Sequence, residues 1–242
     1  MAELGALVAA AGRGTRAGLP YPKTLFPIQG KPILARITEL LAPYDAQPTV
    51  IVSPAGEAPI RQCLAQYGVA SHLVVQSEAC GMGDAVLRLE QSPVFADAEH
   101  VLLVWGDVPF IQPQTVASVV STHRAQGNDF TFATRLVESA YTVVSRDTSG
   151  RVTRVIETRE ESVGQSQAGE RDIGLFVFRK TVVLDMLREE LAGKWGKSTG
   201  EHGFLYIIGH LVSRGYKVAA LPVATELDLV SLNSMNDISA YL

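Results

Sequence analysis

The chain has 242 residues, 47% of them apolar and 19% charged, enough to bury one sizeable core and within the range of a single α/β domain over 1–242. A net charge of −4 argues against nucleic acid as a partner, and no stretch approaches the roughly 20 apolar residues of a membrane helix. Glu3 stands where a signal peptide would carry basic residues, and Cys63 and Cys80 are too few for a disulfide framework, so free thiols in a reducing cytoplasm are expected.

In chain order, apolar runs at Ala6 to Ala10, Thr49 to Val52, Leu73 to Val75 and Val101 to Trp105 read as buried parallel strands. Between them, Pro32 to Leu41 and Gln112 to Gln126 read as helices, the second with Pro113 in its first turn. Beyond about residue 126 the runs Phe130 to Ala133, Tyr141 to Ser145, Val152 to Glu157 and Leu175 to Phe178 crowd together, with turn residues at Asp147 to Gly150. That spacing predicts a partly antiparallel section. Thr181 to Leu191 and Phe204 to Ser213 read as helices, Lys217 to Leu221 as a strand and Ser234 to Leu242 as a closing helix. Glu160 to Arg171, polar and glycine-containing, is expected to be a mobile loop.

The first strand runs into AAGRGTRAGLPYPK, Ala10 to Lys23. Gly12 and Gly14 let backbone approach a ligand, successive amides can cradle phosphate oxygens, and Arg16 and Lys23 bring charge. Gly12, Gly14 and Ala17 formally fit the G-x-G-x-x-A dinucleotide fingerprint, but Gly18, Pro20 and Pro22 interrupt the helix that fingerprint opens. A Walker loop fails as well, since Gly30-Lys31 is followed by Pro32 and Gly196-Lys197-Ser198 lacks its leading glycine.

In the order Ala10, Ala11, Gly12, Gly14, Thr15, Arg16, Pro22, Lys23, followed by Gly30-Lys31-Pro32, the segment resembles the signature of the sugar-phosphate nucleotidyltransferases. The likeness is to the uridylyltransferase half of the bifunctional N-acetylglucosamine-1-phosphate enzymes, without their acetyltransferase repeats, so no acetyl transfer is expected. The resemblance implies a Rossmann-like three-layer α/β/α fold with a mixed, mainly parallel sheet. It implies a nucleotide-binding half over about 1–126 and an acceptor-binding half over about 127–242. It also gives the glycine loop to the triphosphate, and Arg16 and Lys23 to neutralising phosphate charge.

Further motifs extend the likeness. Val74 to Val86 is similar to the family's base-recognition element, matching at Gln76, Gly81 and Gly83, with Met82 in place of the usual Thr. Taken alone, Gln76 would be a surface residue at a strand end. Cys80 has no His or Lys close in sequence to make a thiolate, and reads as a packing residue. In Val101 to Ile111 a strand ends in Gly106 and Asp107, resembling the family's G-D-x-P-L. That implies a magnesium ligand, where an isolated Asp would cap the next helix. Asn233 falls where the second ligand is implied, with Ser231 replacing a Gly, and it can also cap the last helix.

On the acceptor side Tyr141 and Glu157 match, while Thr142 and Val143 replace a Gly and an Arg and Asp172 replaces an Asn. Asp172 is expected either to line the acceptor pocket or to pair with Arg171 or Arg179. The function implied is condensation of UTP or CTP with a phosphorylated small molecule, such as a sugar 1-phosphate, with Mg2+ and release of pyrophosphate. Alternatives are a cytidylyltransferase for a non-sugar phosphorylated acid, amine or alcohol, and a non-catalytic nucleotide-sensing subunit.

Overall fold

The computed structural model describes residues 4–12, 14, 17–158, 160 and 167–242. In chain order the strands and α-helices are β1 Leu4–Ala9, β2 Pro27–Ile28, β3 Lys31–Pro32, α1 Ile33–Leu41, β4 Thr49–Val52, α2 Pro54–Gln66, β5 His72–Val75, α3 Met82–Leu87, α4 Val94–Asp97, β6 His100–Trp105 and α5 Pro113–Gln126. The second half adds β7 Phe130–Ala140, β8 Thr142–Arg146, β9 Val152–Glu157, β10 Gln167–Arg179, α6 Lys180–Arg188, α7 Ile207–Ser213 and β11 Val218–Leu221.

Among the described residues seven strands form one sheet in the order β11-β7-β10-β6-β1-β4-β5. Strands β6, β1, β4 and β5 run parallel, β11 is parallel to β7, and β10 alone runs against its neighbours. This is the expected α/β architecture. Alternate strand residues feed two cores, because successive side chains on a strand point to opposite faces. One face packs Ala6, Val8, Leu102 and Val104 under α1, α2 and α5; the other packs Leu7, Leu103 and five phenylalanines, Phe130, Phe132, Phe176, Phe178 and Phe204, under α3, α6 and α7.

Strands β7 and β10 pair far past the edge of the sheet, from Phe130↔Phe178 to Ala140↔Gln167, and the β8–β9 hairpin grows from their end. The mobile loop expected over Glu160 to Arg171 is therefore corrected for its last residues: Gln167 to Arg171 are strand, held by cross-strand partners such as Glu170↔Leu136 and Arg171↔Arg135. Residues 161–166 lie outside the described residues. The expected closing helix is also corrected. It is two short 3-10 turns, Met235–Asp237 and Ser239–Tyr241, opened by a capping box between Ser234 and Asp237. Ser, Asn and Asp bond their own backbone there and compete with a continuous α-helix. Among the described residues no helix is long and apolar enough to cross a membrane.

Candidate active site

The carboxyl ends of β1, β4, β5 and β6 lie along one edge, where open α/β sheets bind ligands. Ala10 is buried and donates its N–H to the Ile51 carbonyl at 2.9 Å, which anchors the start of the glycine loop to β4. Ala11 is half-buried and Gly12 is exposed at the loop surface. Gly14 has φ 75°, and its carbonyl accepts from the Ala17 and Leu19 amides at 3.0 and 3.2 Å. A Cβ on Gly14 would lie 2.8 Å from the Tyr21 carbonyl and one on Gly12 would lie 3.0 Å from Lys23 Cε. The glycines thus let the loop fold back onto the segment carrying Lys23. Thr15 and Arg16 lie outside the described residues.

Gly106 brings β6 into the same place. Its amide donates to the Ala9 carbonyl at 2.9 Å, and a Cβ there would stand 2.6 Å from that oxygen. Asp107 follows, and its Oδ2 accepts from Lys23 Nζ. The other carboxylate oxygen, Oδ1, is buried and has no hydrogen-bond partner among the described residues. The Asp107 carbonyl accepts from the Leu232 amide at 2.8 Å, which carries the neighbouring Asn233 to this edge. Asn233 is exposed, and its Nδ2 donates to Ser231 Oγ at 2.9 Å. Its alternative role as helix cap belongs instead to Ser234.

At the end of β5, Gln76 Nε2 donates to the Gly81 carbonyl at 3.0 Å and to Asp84 Oδ2 at 2.8 Å. Both partners are acceptors, so the amide orientation is fixed by its network and Oε1 remains as an acceptor for a ligand. Arg88 holds Asp84 from behind. Gly81 has φ 104°, and a Cβ on it would meet the His202 carbonyl at 2.5 Å. The amides of Gly83 and His202 donate to the His202 and Cys80 carbonyls at 3.0 and 2.6 Å, so the segment around His202 buttresses the turn. Sequence reasoning missed that role; the glycines at 81 and 83 were its only signal. Met82 opens α3 and packs against the phenylalanine core. Partial burial, then the charges of Asp84 and Glu78, raises the Cys80 thiol pKa, which opposes thiolate chemistry.

The wall beyond β7 and β10 carries the residues expected on the acceptor side. Glu157, half-buried at the end of β9, stands cross-strand from Thr142. The Tyr141 carbonyl accepts from Thr158 N and Oγ1 at 3.0 and 3.1 Å. Desolvation, then the Asp172 charge, pushes the Tyr141 phenol up to about 12. Asp172 departs from both expectations: it has 0% exposure, accepts from Thr142 Oγ1 at 2.5 Å and from the Gly174 amide at 3.1 Å, and pairs with neither arginine. Arg179 pairs with Asp129. Burial raises the Asp172 pKa, and the residue braces the wall from inside. Arg171, beside it on β10, is part-exposed and stacks on Tyr141.

The MobA-like NTP transferase domain profile matches residues 6–173. The chain is 29% identical over 243 residues to the bifunctional protein GlmU of Leifsonia xyli subsp. xyli, covering 98% of this chain and 49% of the relative. It is 35% identical over 188 residues to the bifunctional protein GlmU of Gloeobacter violaceus, covering 77% and 41%. The chain thus spans about half the length of these curated relatives. The fold is similar to that of the inositol-1-phosphate CTP transferase of T. maritima, with TM-score 0.71, 17% identity and coverage of 91% of this chain and 86% of that one.

Proposed function

Because the chain belongs to the MobA-like NTP transferase family, we propose that it condenses a pyrimidine nucleoside triphosphate with a phosphorylated small molecule, such as a sugar 1-phosphate, and releases pyrophosphate. The observation that carries this reading is the meeting of Lys23 and Asp107 beside the glycine loop, with Asp107 Oδ1 buried and without a hydrogen-bond partner among the described residues. A hard anionic oxygen without a donor fits a divalent cation such as Mg2+, which completes its shell with water and phosphate. Asp107 and Asn233 would hold it, and it would supply charge neutralisation at the reacting phosphates.

The protein's own residues would do the rest. The loop amides and Arg16 would receive the triphosphate, and Lys23 would neutralise charge developing at the α-phosphorus. The acceptor phosphate is already a nucleophilic anion, so in-line attack needs positioning more than proton transfer. Gln76 Oε1 would accept from an N–H on the base edge, a donor that both uracil and cytosine present.

The test is pyrophosphate release with each of the four triphosphates across a panel of phosphorylated sugars, polyols and amines. Absence of release with every pair, in protein that binds Mg2+ and a triphosphate, would favour a nucleotide-sensing subunit. Turnover with CTP and only non-sugar acceptors would favour the cytidylyltransferase alternative.

A further inference from the structure

The guanidinium of Arg171 lies 4.0 Å from the centroid of the Tyr141 ring. One nitrogen, Nη2, donates to the Tyr141 hydroxyl at 2.6 Å and to the Leu229 carbonyl at 3.5 Å. The Nε–H is buried and has no partner among the described residues. Nor does a carboxylate among them form an ion pair with Arg171, since the neighbouring Asp172 turns its oxygens to Thr142 and Gly174. Nη1 is not buried and makes no hydrogen bond among the described residues, so a cation held by stacking keeps an open donor for an oxyanion.

Its place in the sheet says which oxyanion. The order β10-β6-β1 puts Arg171 on one side of Asp107 and the glycine loop on the other. The triphosphate cradle therefore lies across Asp107 from Arg171. Leu229, which Arg171 touches, is in the same segment as Leu232, whose amide is bound to the Asp107 carbonyl.

We propose that Arg171 grips an oxyanion of the acceptor, a phosphate or a carboxylate, through its Nη1–H donors, with Tyr141 as its platform. This rests on the nucleotidyltransferase reading of the site. It makes Arg171 a specificity residue and the acceptor an anion at that position. The competing account is a brace that only ties β10 to Tyr141 and Leu229.

The two are separated by calorimetry on protein saturated with Mg2+ and a non-hydrolysable analogue of the best-bound triphosphate, titrated with glucose 1-phosphate, glucuronate and glucose. At least one of the two anions should bind and glucose should not, and Arg171→Met should weaken the anion about 10-fold or more while nucleotide affinity moves less than about 3-fold. Arg171→Lys keeps the charge without the fork, and should cost about 3-fold or more; it is the variant to read if Arg171→Met does not fold. Binding of glucose 1-phosphate alone assigns Arg171 to the phosphate, and of glucuronate alone to a separate acid. Equal anion affinity in wild type and variant, or no anion binding to the nucleotide-loaded wild type, overturns the proposal. If no triphosphate binds the wild type, the nucleotidyltransferase reading falls with it.

Discussion

Lys23 and Asp107 stand 84 positions apart in the chain and touch across the site. Each carries a charge that water would otherwise solvate, and neither is fully exposed, their side chains being 23% and 13% accessible. Replacing either with Ala should lower turnover by about 100-fold or more, the scale of losing one electrostatic stabiliser, with the fold retained by circular dichroism. Near-normal turnover in a folded variant would remove that residue from the reaction. These positions were legible in the sequence because motifs fix their places, Asp107 just past the end of β6 and Lys23 at the close of the glycine loop that leaves β1. Asp172 was not. Its burial depends on the pairing of Asp172 with Thr134 across β7 and on Thr142 arriving from β8, contacts that no local pattern records.

At the scale of elements, the buried parallel strands and the helices over Ile33–Leu41 and Pro113–Gln126 followed from apolar periodicity. Helix α2 did not: Pro54, Gly56 and Pro59 break up its apolar pattern, and Pro54 fits a first turn capped by Ser53, whose Oγ accepts from Gly56 N at 3.2 Å. The long β10 was visible only in its apolar stretch, since its first half is polar and projects beyond the core. The turn before α3 depends on the segment that buttresses it: a Cβ on Gly83 would lie 2.2 Å from the Gly203 carbonyl. Gly83→Ala should therefore cost about 1–3 kcal/mol in urea denaturation and weaken triphosphate binding, because backbone must move. At the opposite end of the sheet, His123 is buried on α5, with Nε2 2.9 Å from His100 Nδ1 on β6 and Nδ1 3.0 Å from Thr131 Oγ1 on β7. Burial, then His100, lowers the His123 pKa to about 4. The folded state thus binds fewer protons than the unfolded one between about pH 6.5 and 4, so stability is full above that window and falls as pH drops through it. The loss should reach about 2 kcal/mol at pH 5 by the linkage relation, and His123→Asn should flatten it in denaturation curves measured across pH.

For the whole molecule, a net charge of −4 must coexist with the strongly anionic ligand proposed for it. Binding to the folded state alone raises stability by RT ln(1 + [L]/Kd), so melting curves rank ligands without knowledge of the acceptor. With Mg2+ present, CTP or UTP should give a larger shift than ATP or GTP; a purine triphosphate giving the largest shift would displace Gln76 from the base site. The fold of the first half was legible at this scale because its motifs lie along one edge of a parallel layer. The fold of the second half was legible only in part, because its wall is built by tertiary pairing past the sheet.

That wall has a consequence for descent. The inner ends of β7 and β10 are locked by Phe130, Phe132, Phe176 and Phe178, each with 0% exposure, whereas Leu136 and Tyr141 farther out are 73% and 38% exposed. Substitutions at the outer end meet water and a few neighbours, and leave the aromatic packing and the glycine loop unaltered. On the proposed function, a lineage carrying this scaffold can drift from one acceptor to another by small steps, none of which must pass through an unfolded or nucleotide-blind ancestor.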